Sequence, residues 1–245
     1  MKKSLLAVLL IALASPAVFG QFAPPIDTVY TENFDGTLGA DSVAANYNTD
    51  STNATRSWND TSYIKTTGNA SFHTQIYAND SIVFETDAFT TVTYTNVRFT
   101  FDQICKIRYI QKAFIQMSRD NGATWVNLTS AHYQGGSPQF SSQGWFNELS
   151  YPSQLLTPYW YGPTIGNSNT GTGPTPATAS DWWARETFDL SSYLGTYDNA
   201  NSQYGYANCK LRFIMSNKTG TPSPAALEGW FVDNIMVEGA PCELE

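Results

Sequence analysis

The sequence predicts an all-β protein, a two-sheet antiparallel sandwich of the jelly-roll (concanavalin-like) type. Three observations predict it. Apolar residues alternate with polar ones at period two: Val97, Phe99 and Phe101 point one way while Arg98, Thr100 and Asp102 point the other. Leu211, Phe213 and Met215 repeat the pattern against Lys210, Arg212 and Ser216. About ten such short segments are separated by Gly, Asn and Pro signals, and no stretch of convincing length has helical period.

Taken in order, the chain opens with a segment that is not part of the sandwich. Met1-Lys2-Lys3 is basic, Ser4 to Leu13 is apolar, and Val18-Phe19-Gly20 fits a cleavage site before Gln21. Residues 1–20 therefore read as a signal peptide of bacterial form, and the expected mature protein is secreted. Polar residues and prolines (Gln21, Pro24, Pro25) cut the apolar run short, and no later run approaches the ~20 apolar residues of a membrane span. A single domain is expected over 21–245. Strands are predicted near 28–34, 56–64, 71–77, 81–86, 97–102, 112–118, 124–129, 184–190, 210–216 and 229–237. Residues 37–55 read as a long polar loop, and an irregular, aromatic-rich insertion spans about 132–182. The last strand ends almost at Cys242-Glu243-Leu244-Glu245, as it would in the front part of a longer exported protein.

With 13 basic and 21 acidic residues the net charge is −8, which disfavours phosphate backbones; nucleic acid is not an expected partner. Three cysteines form an odd set for an oxidising compartment. A Cys105–Cys209 bridge with Cys242 left over is one reading, and three unpaired thiols is the other. The spacing does not match a zinc finger or a C-x-x-C site.

Ser118-Arg119-Asp120-Asn121-Gly122-Ala123-Thr124-Trp125 is an Asp-box, S-x-D-x-G-x-T-W. Its chemistry is that of a hairpin. The aspartate accepts N–H bonds within the turn, the glycine takes positive φ, and the tryptophan covers the turn. Farther on come Trp183, Phe188-Asp189-Leu190-Ser191-Ser192-Tyr193-Leu194-Gly195, Leu211-Arg212-Phe213 and Gly229-Trp230-Phe231-Val232-Asp233-Asn234-Ile235. Together with the opening Glu32-Asn33-Phe34-Asp35-Gly36, this order resembles the MAM-like jelly rolls attached to secreted immune-inhibitor-A-type peptidases, and the reelin-repeat subdomains. The resemblance covers roughly residues 28–240; the insertion departs from it. It implies a non-catalytic domain that binds carbohydrate or protein, often with structural calcium.

On that resemblance Glu32, Asp233 and Asn234 are the candidate Ca²⁺ ligands, since hard oxygen donors suit that ion. Alternation along 230–237 stumbles at Asp233-Asn234, as a bulge would make it do, and the two side chains could equally serve only that bulge. Ligand contact is expected from the insertion, at Tyr159, Trp160, Tyr161 and Trp145, because exposed rings stack on sugars and dominate protein hot spots. The same rings could instead cover a sheet face as a secondary core. The expected partner is a polysaccharide or a cell-surface protein.

Catalytic patterns fail where they can be tested. His73 and His132 are the only histidines and cannot form H-E-x-x-H. Gly135-Gly136-Ser137-Pro138-Gln139 lacks the final glycine of a nucleophile elbow. Glu85-Thr86-Asp87 begins an E-x-D-x-x-E pattern, but Thr90 stands where its second glutamate should be. A secreted polysaccharide- or peptide-degrading hydrolase, using Glu85, Asp87 or another carboxylate pair, is the alternative function.

Overall fold

A computed structural model of the chain describes residues 26–34, 47–48, 58–62, 65–66, 68, 70–74, 80–107, 110–150, 182–217 and 229–242. Residues 1–20, read above as a signal peptide, and Tyr159, Trp160 and Tyr161 lie outside the described residues.

Thirteen strands are described: β1 (Asp27–Glu32), β2 (Tyr47–Asn48), β3 (Asn59–Thr61), β4 (Ser71–Thr74), β5 (Asp80–Glu85), β6 (Tyr94–Lys106), β7 (Lys112–Ser118), β8 (Val126–Asn127), β9 (Ala184–Asp189), β10 (Tyr197–Asp198), β11 (Gln203–Tyr204), β12 (Lys210–Asn217) and β13 (Gly229–Pro241). One sheet runs β3-β4-β13-β6-β9, with β1 also on β13; the other runs β2-β5-β12-β7-β8. All pairings between these strands are antiparallel. From β5 to β7, and again from β9 through β12 to β13, the chain crosses from sheet to sheet, the winding of a jelly roll. The fold class expected from the alternation is the one observed.

Inward rows of both sheets fill the space between them. Phe99 and Phe101 from the first sheet meet Phe213 from the second, Phe188 stacks on Phe99 beside them, Phe84 lies against Phe213, and Trp230 closes on Phe213 with ring centroids 5.7 Å apart. All six are fully buried, each contributing about 1.5–3 kcal/mol.

Three expectations need correcting. Asp102, expected on a solvent face, is buried because Arg185 of β9 and Asn234 of β13 close over it. The Cys105–Cys209 bridge is not made; both residues are buried, and the two sulfurs are not joined. Cys209 lies 3.5 Å from the Thr91 hydroxyl, and Thr91 is bonded to Tyr94, the first residue of β6. Cys105 is eleven residues farther along that same strand, roughly 36 Å away at ~3.3 Å per residue. A disulfide needs Cα atoms within about 7 Å. Two short helices were also missed: α1 (Pro138–Gln143) inside the insertion, and α2 (Ser191–Leu194).

Candidate ligand-binding site

Trp145 is carried to the outer face of the second sheet by a short piece of local chemistry. Ser137 caps α1, its hydroxyl accepting from the Phe140 N–H at 3.2 Å, and Pro138 stands at the helix start, where no N–H is needed. Gly144 ends the helix at φ 78°, its N–H returning to the Phe140 carbonyl. The chain then runs beside β7 beyond the end of β8, exchanging two backbone bonds between Phe146 and Ala113 (2.9 and 2.7 Å). Strand geometry does the rest. Phe146 points into the core, fully buried, while Trp145 falls beside Lys112 on the outside.

The Lys112 ammonium lies 3.9 Å from the centre of the Trp145 ring, and no carboxylate among the described residues pairs with it. Between Trp145 and β8 runs an open groove of about 370 Å³, lined among others by Phe114, Asn127, Thr129, Ser142 and Gln143. Its chemistry is one half-exposed indole, one phenyl ring, hydroxyls, amides and one cation, without an acid. Next to it a polar ladder crosses the sheet. Arg212 Nε donates to Gln116 Oε1, and Gln116 Nε2 donates to Asn127 Oδ1. Trp125 covers the Arg212 guanidinium at 4.1 Å.

The other rings described in the insertion include structural ones. Tyr133, Phe140 and Phe146 form a secondary core over Phe188, and Trp182 is buried. Beneath them lies Glu186, whose carboxylate accepts from the Tyr133 hydroxyl and, at 2.9 Å, from Gln103 Nε2. Burial pushes this carboxyl above the ordinary range, and the two hydrogen bonds oppose the push. Gln103 in turn accepts from Trp230 Nε1 at 2.8 Å, and the Tyr133 oxygen accepts from the Ser137 N–H.

The Asp-box is the expected hairpin. Asp120 accepts from the Thr124 N–H (2.8 Å), the Thr124 hydroxyl (2.6 Å) and the Ser118 hydroxyl (2.7 Å). The two bonds from Thr124 and that from Ser118 hold its carboxyl down at about 2. Gly122 has φ 87°, and a Cβ there would press the Trp125 ring at 3.2 Å.

Asp233 and Asn234 sit at a bulge, as the broken alternation predicted: the β13–β6 register slips between Asp233 and Met236, and Asn234 has φ 48°. The bulge turns both side chains to one face. Asp233 accepts from the Thr66 N–H (3.0 Å) and hydroxyl (2.7 Å), and Asn234 Nδ2 donates to Asp102 and to the Thr66 hydroxyl. Burial, above all, raises the Asp233 carboxyl. Glu32 is not brought to this pair. It is aligned with the core-facing Ile235, and its Oε1 accepts from the Phe34 N–H at 2.6 Å. Asn234 also presents its amide nitrogen, not its oxygen, to Asp102. As placed, the three residues do not fit a calcium cage, and no group of three His, Cys, Asp or Glu among the described residues is placed to hold a metal. Glu85 lies between Lys210 (3.8 Å) and Arg212 (3.9 Å).

Of the residues expected at a ligand site, Trp145 alone is both described and accessible. Sequence reasoning missed its groove partners Lys112, Phe114 and Asn127. The period-two pattern carried a signal for the first two, since the outward Phe114 interrupts an otherwise polar face.

A scan against protein-family models matches none, and a search of curated proteins finds no relative. Among solved structures, "CBM35 from Paenibacillus barcinonensis" is similar at 16% identity and a TM-score of 0.30, over 74% of this chain and 91% of that one.

Proposed function

We propose that the protein is a non-catalytic carbohydrate-binding module of an exported bacterial protein, and that it takes its ligand in the Trp145 groove. The observation that carries this reading is the groove's composition. A half-exposed indole offers an apolar face to a sugar ring, and Asn127, Thr129, Ser142 and Gln143 surround it with hydroxyls and amides that exchange hydrogen bonds with sugar hydroxyls. The Phe146–Ala113 bonds fix the backbone beside Trp145 and the Lys112 contact restrains its ring, which lowers the ordering cost of binding. Hydrolysis is disfavoured. A glycosidase uses two working carboxylates, one of them near the ordinary acidic range and free to act. Here Glu85 lies between two cations, Asp102 is held by Arg185, and Glu186 is buried under Tyr133.

Affinity electrophoresis of the mature protein through gels containing soluble β-glucan, mannan, galactan or xylan tests the reading. At least one polymer is expected to retard the wild type, and Trp145→Ala is expected to weaken that binding about tenfold or more, in the range of a stacked hot-spot ring. Equal retardation of wild type and variant, or release of reducing ends by the wild type, would refute it.

A further inference from the structure

A second aromatic surface lies at the far end of β7 from Trp145. The β10–β11 hairpin carries Tyr197 and Tyr204, which are 46% and 40% exposed, with ring centroids 5.2 Å apart at 75°. Exposed rings on a mobile turn would mean little, but this hairpin is clamped. Thr93 N–H donates to the Tyr204 carbonyl, Thr91 N–H to the Tyr206 carbonyl, and Gly205 N–H to the Thr196 carbonyl. A Cβ on Gly205 would stand 1.8 Å from the Thr91 carbonyl oxygen, and one on Gly195 would stand 1.9 Å from that of Thr95. The backbone therefore sits directly on the body of the sandwich.

Beside the hairpin, Arg119 of the Asp-box turn is held between two rings, 4.9 Å from the centre of Tyr193 and 4.8 Å from that of Tyr206. One guanidinium nitrogen donates to the Tyr206 hydroxyl at 2.8 Å. No carboxylate stands within ion-pair distance of it among the described residues. A guanidinium carries five N–H donors, so most of them face no protein acceptor here. Arg119, Tyr206, Tyr197, Thr196, Asp198 and Asp120 line an open cleft of about 530 Å³.

We infer that this cleft is a second saccharide-contact site, and that its ligand is a neutral sugar residue. It rests on the carbohydrate reading of the module, but not on the Trp145 groove. A fixed fork of donors, carboxylate and hydroxyl acceptors, and a tyrosine ring together match a polyol with an apolar ring face. Asp120 and Asp198, both ionised at neutral pH, repel an anionic ligand. The two sites stand roughly 23 Å apart, the length of the seven residues from Lys112 to Arg119 at ~3.3 Å each. A long polymer can engage both, and a short oligosaccharide only one.

The test compares wild type, Tyr197→Ser, Arg119→Met and Trp145→Ala, with Tyr197→Ser and Arg119→Met each also combined with Trp145→Ala, by affinity electrophoresis in β-glucan, mannan and galactan. Circular dichroism melts accompany each variant. Tyr197→Ser is exposed and keeps the backbone, so its melt should match the wild type. The expected result is a three- to tenfold weaker retardation in Tyr197→Ser, a similar loss in Arg119→Met, and further loss when either joins Trp145→Ala. If Trp145→Ala weakens binding while Tyr197→Ser and Arg119→Met bind as wild type does, the second site is refuted and the groove stands. If Tyr197→Ser weakens binding while Trp145→Ala does not, the second site stands and the groove falls. A wild type that binds none of the three polymers refutes this site.

Discussion

Replacing Tyr133 by Phe removes one oxygen atom from the centre of the secondary core and leaves its packing in place. That oxygen donates to the Glu186 carboxylate and accepts from the Ser137 N–H. Glu186 is only 3% exposed, so water cannot replace the lost donor without opening the structure. A hydrogen bond to a charged group contributes about 1.5–3 kcal/mol, and the orphaned Ser137 N–H costs up to about 1 kcal/mol more, giving roughly 2–4 kcal/mol in total. For a domain of this size that is a fall in Tm of about 4–15 °C. The pH dependence is the sharper test. Burial already raises the Glu186 carboxyl in the folded state, so the fold binds its proton more readily than the unfolded chain does. This group's contribution is therefore fully present at acid pH and declines as pH rises from the ordinary carboxylate value through the raised folded value. Tyr133 holds the carboxyl down, so its loss raises that value further, and the cost of Tyr133→Phe is greater at pH 7 than at pH 4. Urea unfolding at both pH values measures it. A cost below about 0.5 kcal/mol at pH 7, or one equal at the two pH values, would refute the reasoning.

Two other outcomes follow from the same structure. Thiol titration should find only Cys242 reactive in the native protein and three thiols after denaturation, since Cys105 and Cys209 are fully buried and burial pushes the Cys209 thiol up to about 11; finding one thiol after denaturation would mean a bridge forms. Melting should be indifferent to millimolar calcium and to a chelator, because Asp233 is satisfied by Thr66 and Glu32 is turned elsewhere; a rise with Ca²⁺ that Asp233→Ala removes would restore the cage expected from the resemblance.

The sandwich was legible because its signal is local. Alternation along β6 and β12, the turn chemistry of the Asp-box and the broken rhythm at Asp233-Asn234 each depend on a few neighbouring residues. What the sequence hid depends on pairing across the chain. Nothing local places Phe146 on the edge of β7, yet that single bridge is what separates the buried Phe146 from the accessible Trp145. Cys105 and Cys209 both occupy predicted strand regions, and only the register shows them at opposite ends of β6. Glu32 lies on the strand that pairs with that of Asp233, but the β1–β13 register, which shifts between Thr28 and Tyr30, aligns it with Ile235 instead. The β10–β11 hairpin was missed because two-residue strands are too short to show a period.

The central claim is that the Trp145 groove holds a sugar, and a ¹⁵N-resolved NMR titration with an oligosaccharide of the retained polymer tests it most directly. The account predicts that the Trp145 indole N–H and the amides of Asn127, Thr129, Ser142 and Gln143 shift together and saturably, while the core amides of β6 and β13 stay in place. An indole resonance of Trp145 that does not move while the protein is saturated with ligand would contradict it.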